Sequence, residues 1–131
     1  MTIEVRVVTP EREVWSGQAR MVIARGVEGE VGILAGHAPL LVRLAIGVLR
    51  IQKADGDWQA AVADGGFLHV TSEADATRVD VLAEHAELAH EIDLHAAEYR
   101  ADEARRRLGE RENVEARAEL AKALVRLGFR S

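Results

Sequence analysis

Five histidines and a few closely spaced carboxylates are the residues of this chain whose types invite chemistry. His85, His90 and His95 recur at intervals of five, and His90-Glu91-Ile92-Asp93-Leu94-His95 falls one residue outside an HExxH zinc motif. Two zinc ligands must lie four apart to share a helix face, whereas a spacing of five turns the second ring about 140° from the first. The spacing predicts solvated histidines and no metal centre. Asp55 and Asp57 flank Gly56, where turn formation accounts for both carboxylates. Serine occurs at Ser16, Ser72 and Ser131, never within GxSxG, and cysteine is absent. The glycines at 26, 29, 32 and 36 form neither GxGxxG nor a GxxxxGK[ST] loop. Acyl transfer and nucleotide hydrolysis lack their residues, so a non-catalytic protein is expected.

The elements that must position these residues follow two grammars. Nine of eleven glycines, and both prolines, lie at or before Gly66. Between them run short apolar stretches, with Ile3, Val5 and Val7 alternating with Glu4 and Arg6, and further strands expected over 19–27, 48–53, 58–63, 67–71 and 77–83. Asp55-Gly56-Asp57 and Asp64-Gly65-Gly66 read as turns joining successive strands. From about Leu88 the composition shifts to Ala, Glu, Arg and Leu. Ala97, Ala101, Ala104 and Leu108 recur at helical spacing, as do Ala116, Leu120, Ala123, Leu124 and Leu127 after a polar break. Gly109 suits a helix C′ position and Asn113 an N-cap, which predicts an αα-hairpin. The expected organisation is α+β: a β-sandwich over 1–87, then an antiparallel two-helix hairpin over 88–131.

Length and charge limit the partners. At 131 residues the chain is one ordinary domain or a small domain with an appendage. A formal charge of −5 and an aromatic content of 4% disfavour nucleic acid, which needs phosphate neutralisation and stacking surfaces. No apolar run reaches the roughly 18 residues of a membrane span, and MTIEVRVV, with Glu4 and Arg6 inside its apolar stretch, lacks the basic start and continuous apolar run of a signal peptide. A soluble or peripheral protein is expected. Residues 1–87 hold 13 acids and 8 bases; residues 88–131 hold 9 of each. The second segment is therefore charge-dense, with stripes made mostly of alanine. At about 25 cal/mol per Å² so thin a stripe closes a hairpin weakly and leaves it ready to exchange partners.

The most distinctive stretch, Arg25-Gly26-Val27-Glu28-Gly29-Glu30-Val31-Gly32-Ile33-Leu34-Ala35-Gly36-His37-Ala38-Pro39-Leu40-Leu41, is a glycine-rich turn, a short strand and a tight loop. It resembles the EGE-x-G-I-x-x-GHAPLL signature of the epsilon-subunit family of rotary F-type ATP synthases. Thr9-Pro10-Glu11-Arg12 with Trp15-Ser16-Gly17, Asp64-Gly65-Gly66-Phe67, 79–84 and 119–127 resemble further family segments in order, so the similarity spans nearly the whole chain.

The resemblance implies a sandwich of about ten strands followed by a helical hairpin. It implies a central-stalk subunit seated between the gamma subunit and the c-ring, on the cytoplasmic face of a bacterial plasma membrane. Glu30, Gly32, Gly36, His37, Ala38 and Pro39 would then meet the polar loops of the c-ring, with Glu30 pairing with basic or amide groups and His37 donating. The hairpin would act as a brake on ATP hydrolysis, extending along gamma to the alpha and beta subunits, with Arg117, Lys122, Arg126 and Arg130 meeting acidic segments of beta or gamma. The same four residues also read as a solvated face laced with ion pairs such as Glu119 with Lys122. Family members that bind a regulatory ATP carry Ile-Asp-x-x-Arg-Ala, and here Ile92-Asp93 is followed by Ala96 in place of the arginine. With Lys122 and Arg126 as the remaining basic pair, nucleotide binding is expected to be weak or absent, and no other cofactor is implied. The competing reading is a free-standing β-sandwich binding module that self-associates through Ala116, Leu120, Ala123 and Leu127.

Overall fold

The computed structural model describes residues 2–130, which fall into two compact units, one ending at Ala89 and the other beginning at His90. The first unit is built from β1 (Ile3–Val8), β2 (Glu13–Gly26), β3 (Gly29–Leu34), β4 (Leu40–Lys53), β5 (Trp58–Glu73), β6 (Ala76–Ala83) and β7 (Ala86–Leu88). The sheet runs β1-β6-β5-β4-β2-β3. It also closes on itself, because β1 pairs in parallel with β6 and antiparallel with β2. Two strands lie outside this ring among the described residues: β3 extends it as an edge paired with β2, and the short β7 pairs with β5.

The alternation along β1 predicts its burial: Ile3, Val5 and Val7 are fully buried while Glu4 is exposed. They meet Val22, Ile33, Leu49, Ile51, Leu68, Val70, Val79 and Val81 in one core. Most are β-branched, as suits side chains packed on pleated surfaces. Together they give the sandwich expected from the turn grammar.

Seven strands stand among the described residues where about ten were expected, because three of them are 14 to 16 residues long. Asp64-Gly65-Gly66 is the clearest difference. It is no turn: β5 runs through it while keeping one register against β4, from Gln52↔Trp58 to Leu40↔Val70. β6 and β7 together keep one register along its other side. Gly65 (φ 84°) and Gly66 (φ 109°) are in the left-handed region, and a Cβ on Gly66 would collide with the Leu82 carbonyl oxygen. The two glycines bend a continuous strand where its neighbour lies against the backbone.

The second unit holds α1 (Leu94–Glu110) and α2 (Val114–Leu127). The helical segment expected from Leu88 starts later, since Leu88 ends β7 and Ala89–Glu91 forms one 3₁₀ turn. Asp93 caps α1 by accepting from the Ala96 N–H at 3.0 Å, and Asn113 caps α2 by accepting from the Ala116 N–H at 3.0 Å. Gly109 is not the C′ residue: α1 continues through it to Glu110 and ends at Arg111, whose N–H reaches the Arg107 carbonyl. Ala97 and Ala101 pack against Leu120, Ala123 and Leu127, so the start of one helix meets the end of the other and the pair is antiparallel. The stripe offered as an oligomerisation seam is thus largely spent inside one chain, with Ala116 also buried.

Candidate functional interface

Edge strand β3 and the loop that follows it carry the six residues expected to meet a partner. Glu30 is its second residue, directly opposite Arg25 of β2, and Gly32 lies opposite Ile23. Glu30, Gly32 and Leu34 point to the outer face, with Leu34 54% exposed, while Ile33 enters the core. A Cβ on Gly32 would touch nothing, so the backbone there is bare to an approaching surface. The Glu30 carboxylate accepts from Arg50 Nη2 of β4 at 3.3 Å.

The loop is held differently. His37 N–H donates to the Leu34 carbonyl at 3.1 Å and Gly36 has φ 85°, which makes Leu34-Ala35-Gly36-His37 a turn with its left-handed position filled by glycine. Gly36 N–H donates to Oγ1 of the buried Thr77 at 2.8 Å, and Ser72 Oγ donates to the His37 carbonyl at 2.8 Å. Both hydroxyls come from the strands on either side of the β5–β6 turn. They tie the loop to the closed ring. His37 Nδ1 donates to the Ala38 carbonyl at 2.7 Å, which fixes the half-buried ring and leaves Nε2 for a partner. Ala38 and Pro39 are exposed.

The structure therefore splits the six residues into two groups. Along β3, Glu30 and Leu34 are about 13 Å apart at 3.3 Å per residue, and the loop lies beyond Leu34. Glu30 and Gly32 form one patch with Arg25 and Arg50; Gly36 to Pro39 form another with Ser72 and Thr77 behind them. Arg25 heads the distinctive stretch but carries no role in the sequence reading, and Arg50, Ser72 and Thr77 lie outside it. A polar residue at a strand end beside a glycine turn was the available signal for Ser72 and Thr77. The pairing of Glu30 with Arg50 had none, because sheet register alone brings them together.

On the hairpin, Arg117 chelates Glu112, with Nε donating at 2.8 Å and Nη2 at 2.9 Å. The hydrogen bond from Arg117, and after it the guanidinium charge, holds the Glu112 carboxyl below its ordinary range. Lys122 reaches Glu119 at 3.5 Å, the ion pair expected of a solvated face. Arg126 is buried and donates from Nη1 to the Lys122 carbonyl at 2.9 Å, so its stem belongs to the hairpin interior. Arg130 is exposed beyond the end of α2. At the other end of the nucleotide pattern, the Asp93 carboxylate is engaged as the cap of α1, with Ile92 just ahead of it. Among the described residues no group of three His, Cys, Asp or Glu is placed to hold a metal ion.

Comparison with known proteins agrees on one family. The model of the ATP synthase delta/epsilon chain β-sandwich domain matches residues 2–102. The ATP synthase epsilon chain of Thermobifida fusca is 49% identical over 127 residues, covering 94% of this chain and 88% of that protein. The chloroplastic epsilon chain of Pyropia yezoensis is 37% identical over 131 residues, covering 97% and 94%. Among solved structures, a chain of the Euglena gracilis mitochondrial ATP synthase, resolved with OSCP, F1 and c-ring, superposes with a TM-score of 0.82 at 25% identity, covering 95% of this chain and 78% of that one.

Proposed function

This chain belongs to the ATP synthase delta/epsilon family, and from that membership we propose that it is a rotor subunit that couples gamma to the c-ring and restrains ATP hydrolysis through its helical hairpin. It is a non-catalytic accessory subunit of the synthase, and its sandwich is a stalk component. It is peripheral to the membrane; among the described residues no helix is long and apolar enough to cross one.

The observation that carries the reading is the way β3 and its loop are mounted. A torque-bearing contact must not yield, and this one projects from a sheet closed on itself, with its loop pinned by Thr77 and Ser72 to the closing strands. We assign Glu30 and Gly32, and separately Gly36, His37, Ala38 and Pro39, to the c-ring. Arg117, Lys122 and Arg130 are the hairpin residues suited to acidic segments of beta or gamma. Arg126 acts from inside the hairpin by holding the Lys122 carbonyl. The bacterial plasma membrane is the proposed site, on its cytoplasmic face.

The test is ATP hydrolysis by an epsilon-depleted F1 core titrated with the full chain and with a chain ending at Ala89, which keeps β7 whole. Inhibition by the full chain, and binding without inhibition by the shortened one, are the expected results. Failure of both to bind would overturn the assignment. Calorimetric titration of the full chain with ATP is expected to give weak or no binding, since Ala96 offers no guanidinium and Asp93 is engaged as a cap.

A further inference from the structure

The outer face of the β2–β3–β4 sheet carries a charge that the reading above leaves unused. Arg25 and Glu30 are direct cross-strand partners, on one face with Cβ atoms about 5 Å apart. Yet the Glu30 carboxylate turns to Arg50, which reaches it from β4, on the far side of β2. Arg50, Ile23 and Gly32 form one row across the three strands, and no side chain rises from Gly32 to obstruct that reach. Arg25 is left exposed, with no hydrogen bond or ion pair among the described residues.

Arg25 is nevertheless seated. Between the pairs Ile23↔Arg50 and Gly26↔Leu44, β4 inserts residues 45–49 opposite only Ala24 and Arg25. Gly47 is at the centre of this bulge, and a Cβ there would come within 2.9 Å of Arg25 Cβ and 3.1 Å of its Cγ. The stem of Arg25 thus lies on bare backbone, at an open depression it shares with Glu30, Ile46, Val48 and Arg50. A stem seated in this way loses less freedom when its guanidinium is captured.

Two guanidiniums around one carboxylate leave one positive charge in excess. If a partner covers this face, Arg25 loses water and must be given an acceptor, because a desolvated charge without a partner is costly. A planar fork in this position matches a carboxylate best. We propose that Arg25 recognises a carboxylate side chain on the c-ring loop that meets Glu30, and that Arg50 is the positioning residue that holds Glu30 beside it. This rests on the reading that the Glu30 face meets the c-ring.

The experiment measures the dissociation rate of the full chain from epsilon-depleted F1Fo in detergent and from epsilon-depleted F1, which lacks the ring, at low and high salt. Arg25→Gln is expected to leave F1Fo about tenfold faster, with a flattened salt dependence, and to behave as wild type on F1. Arg25→Lys should recover part of the loss. Arg50→Gln should speed release from F1Fo but add nothing further in an Arg50→Gln/Glu30→Gln double variant. Arg25 makes no contact whose loss would unfold the chain, and circular dichroism of each variant checks this. If Glu30→Gln weakens retention by F1Fo only and Arg25→Gln does not, the carboxylate proposal is wrong and the interface reading stands. Equal loss of Arg25→Gln on F1 and F1Fo also overturns the proposal, by moving the contact off the ring. If Glu30→Gln has no ring-dependent effect, the interface reading itself fails.

Discussion

The two units of this chain are held together by different kinds of interaction. In the sandwich the largest fully buried side chains are Ile, Leu and Val drawn from strands far apart in sequence. In the hairpin the apolar cluster is Ala97, Ala101 and Ala123 with Leu127, and order comes from local devices: an Asp cap, an Asn cap and ion pairs three to five residues apart. Apolar burial is worth about 0.8 kcal/mol per methylene, so alanine contributes little per contact and the first unit has far more to lose on opening. A stiff body and a cheaply opened arm are what a coupling element with a brake requires. The contrast is therefore a functional division made by side-chain size.

The largest effects are expected where the sandwich packs backbone on backbone. Gly66→Ala places a Cβ against the Leu82 carbonyl at φ 109°, and should cost about 3 kcal/mol or more. Leu68→Ala, two residues further along β5 and fully buried, should cost about 2–5 kcal/mol. Urea unfolding followed at the sandwich resonances reads both. A loss under about 1 kcal/mol from either would mean that this unit is not the rigid one, and the comparison would fail.

The hairpin is expected to answer to single local changes of smaller size. Asn113→Ala removes the acceptor for the Ala116 N–H and should cost about 1 kcal/mol, raising amide exchange in α2 while β-strand amides keep their protection. Gly109→Ala works in the opposite sense. Gly109 is helical, its added Cβ would touch nothing, and alanine should stabilise α1 by up to about 1 kcal/mol. If strand amides change as much as helix amides in either variant, the two units are not energetically separate.

How far these features were readable in advance follows the same division. The caps were partly legible: Asn113 was marked as one because it precedes a helical stripe, and capping is a matter of three residues. Asp93 precedes a helical stripe just as Asn113 does, yet its capping role is not marked by the sequence reading, and Gly109 reads as a helix end although α1 has enough periodic alanine to run through it. In the sandwich, alternation in β1 and the Gly36 turn could be read directly. Asp64-Gly65-Gly66 could not, since glycine signals a left-handed backbone without saying whether the chain reverses or bends. That choice is made by β4 on one side and by β6 with β7 on the other, which keep one register across it. The same holds for Arg50 on Glu30, twenty residues away in sequence.

Acid should produce the smallest and most one-sided effect. Arg106 donates to Glu103 at 3.0 and 3.2 Å, and that hydrogen bond, followed by the guanidinium charge, holds the Glu103 carboxyl below its usual range. Arg117 does the same for Glu112, again chiefly by hydrogen bonding. A carboxyl lowered in the folded state favours folding above its unfolded value, about 4.3, and that contribution disappears as pH falls through the lowered folded value. Both pairs are open to solvent, which screens them, so the loss is small. Helical ellipticity should therefore slip below about pH 4 while the strand resonances hold, and added salt should blunt the change. The sign matters more than the size. An acid transition beginning in the strands, or one indifferent to salt, would show that these ion pairs do not set the hairpin's stability and that the caps and alanine stripe hold it alone.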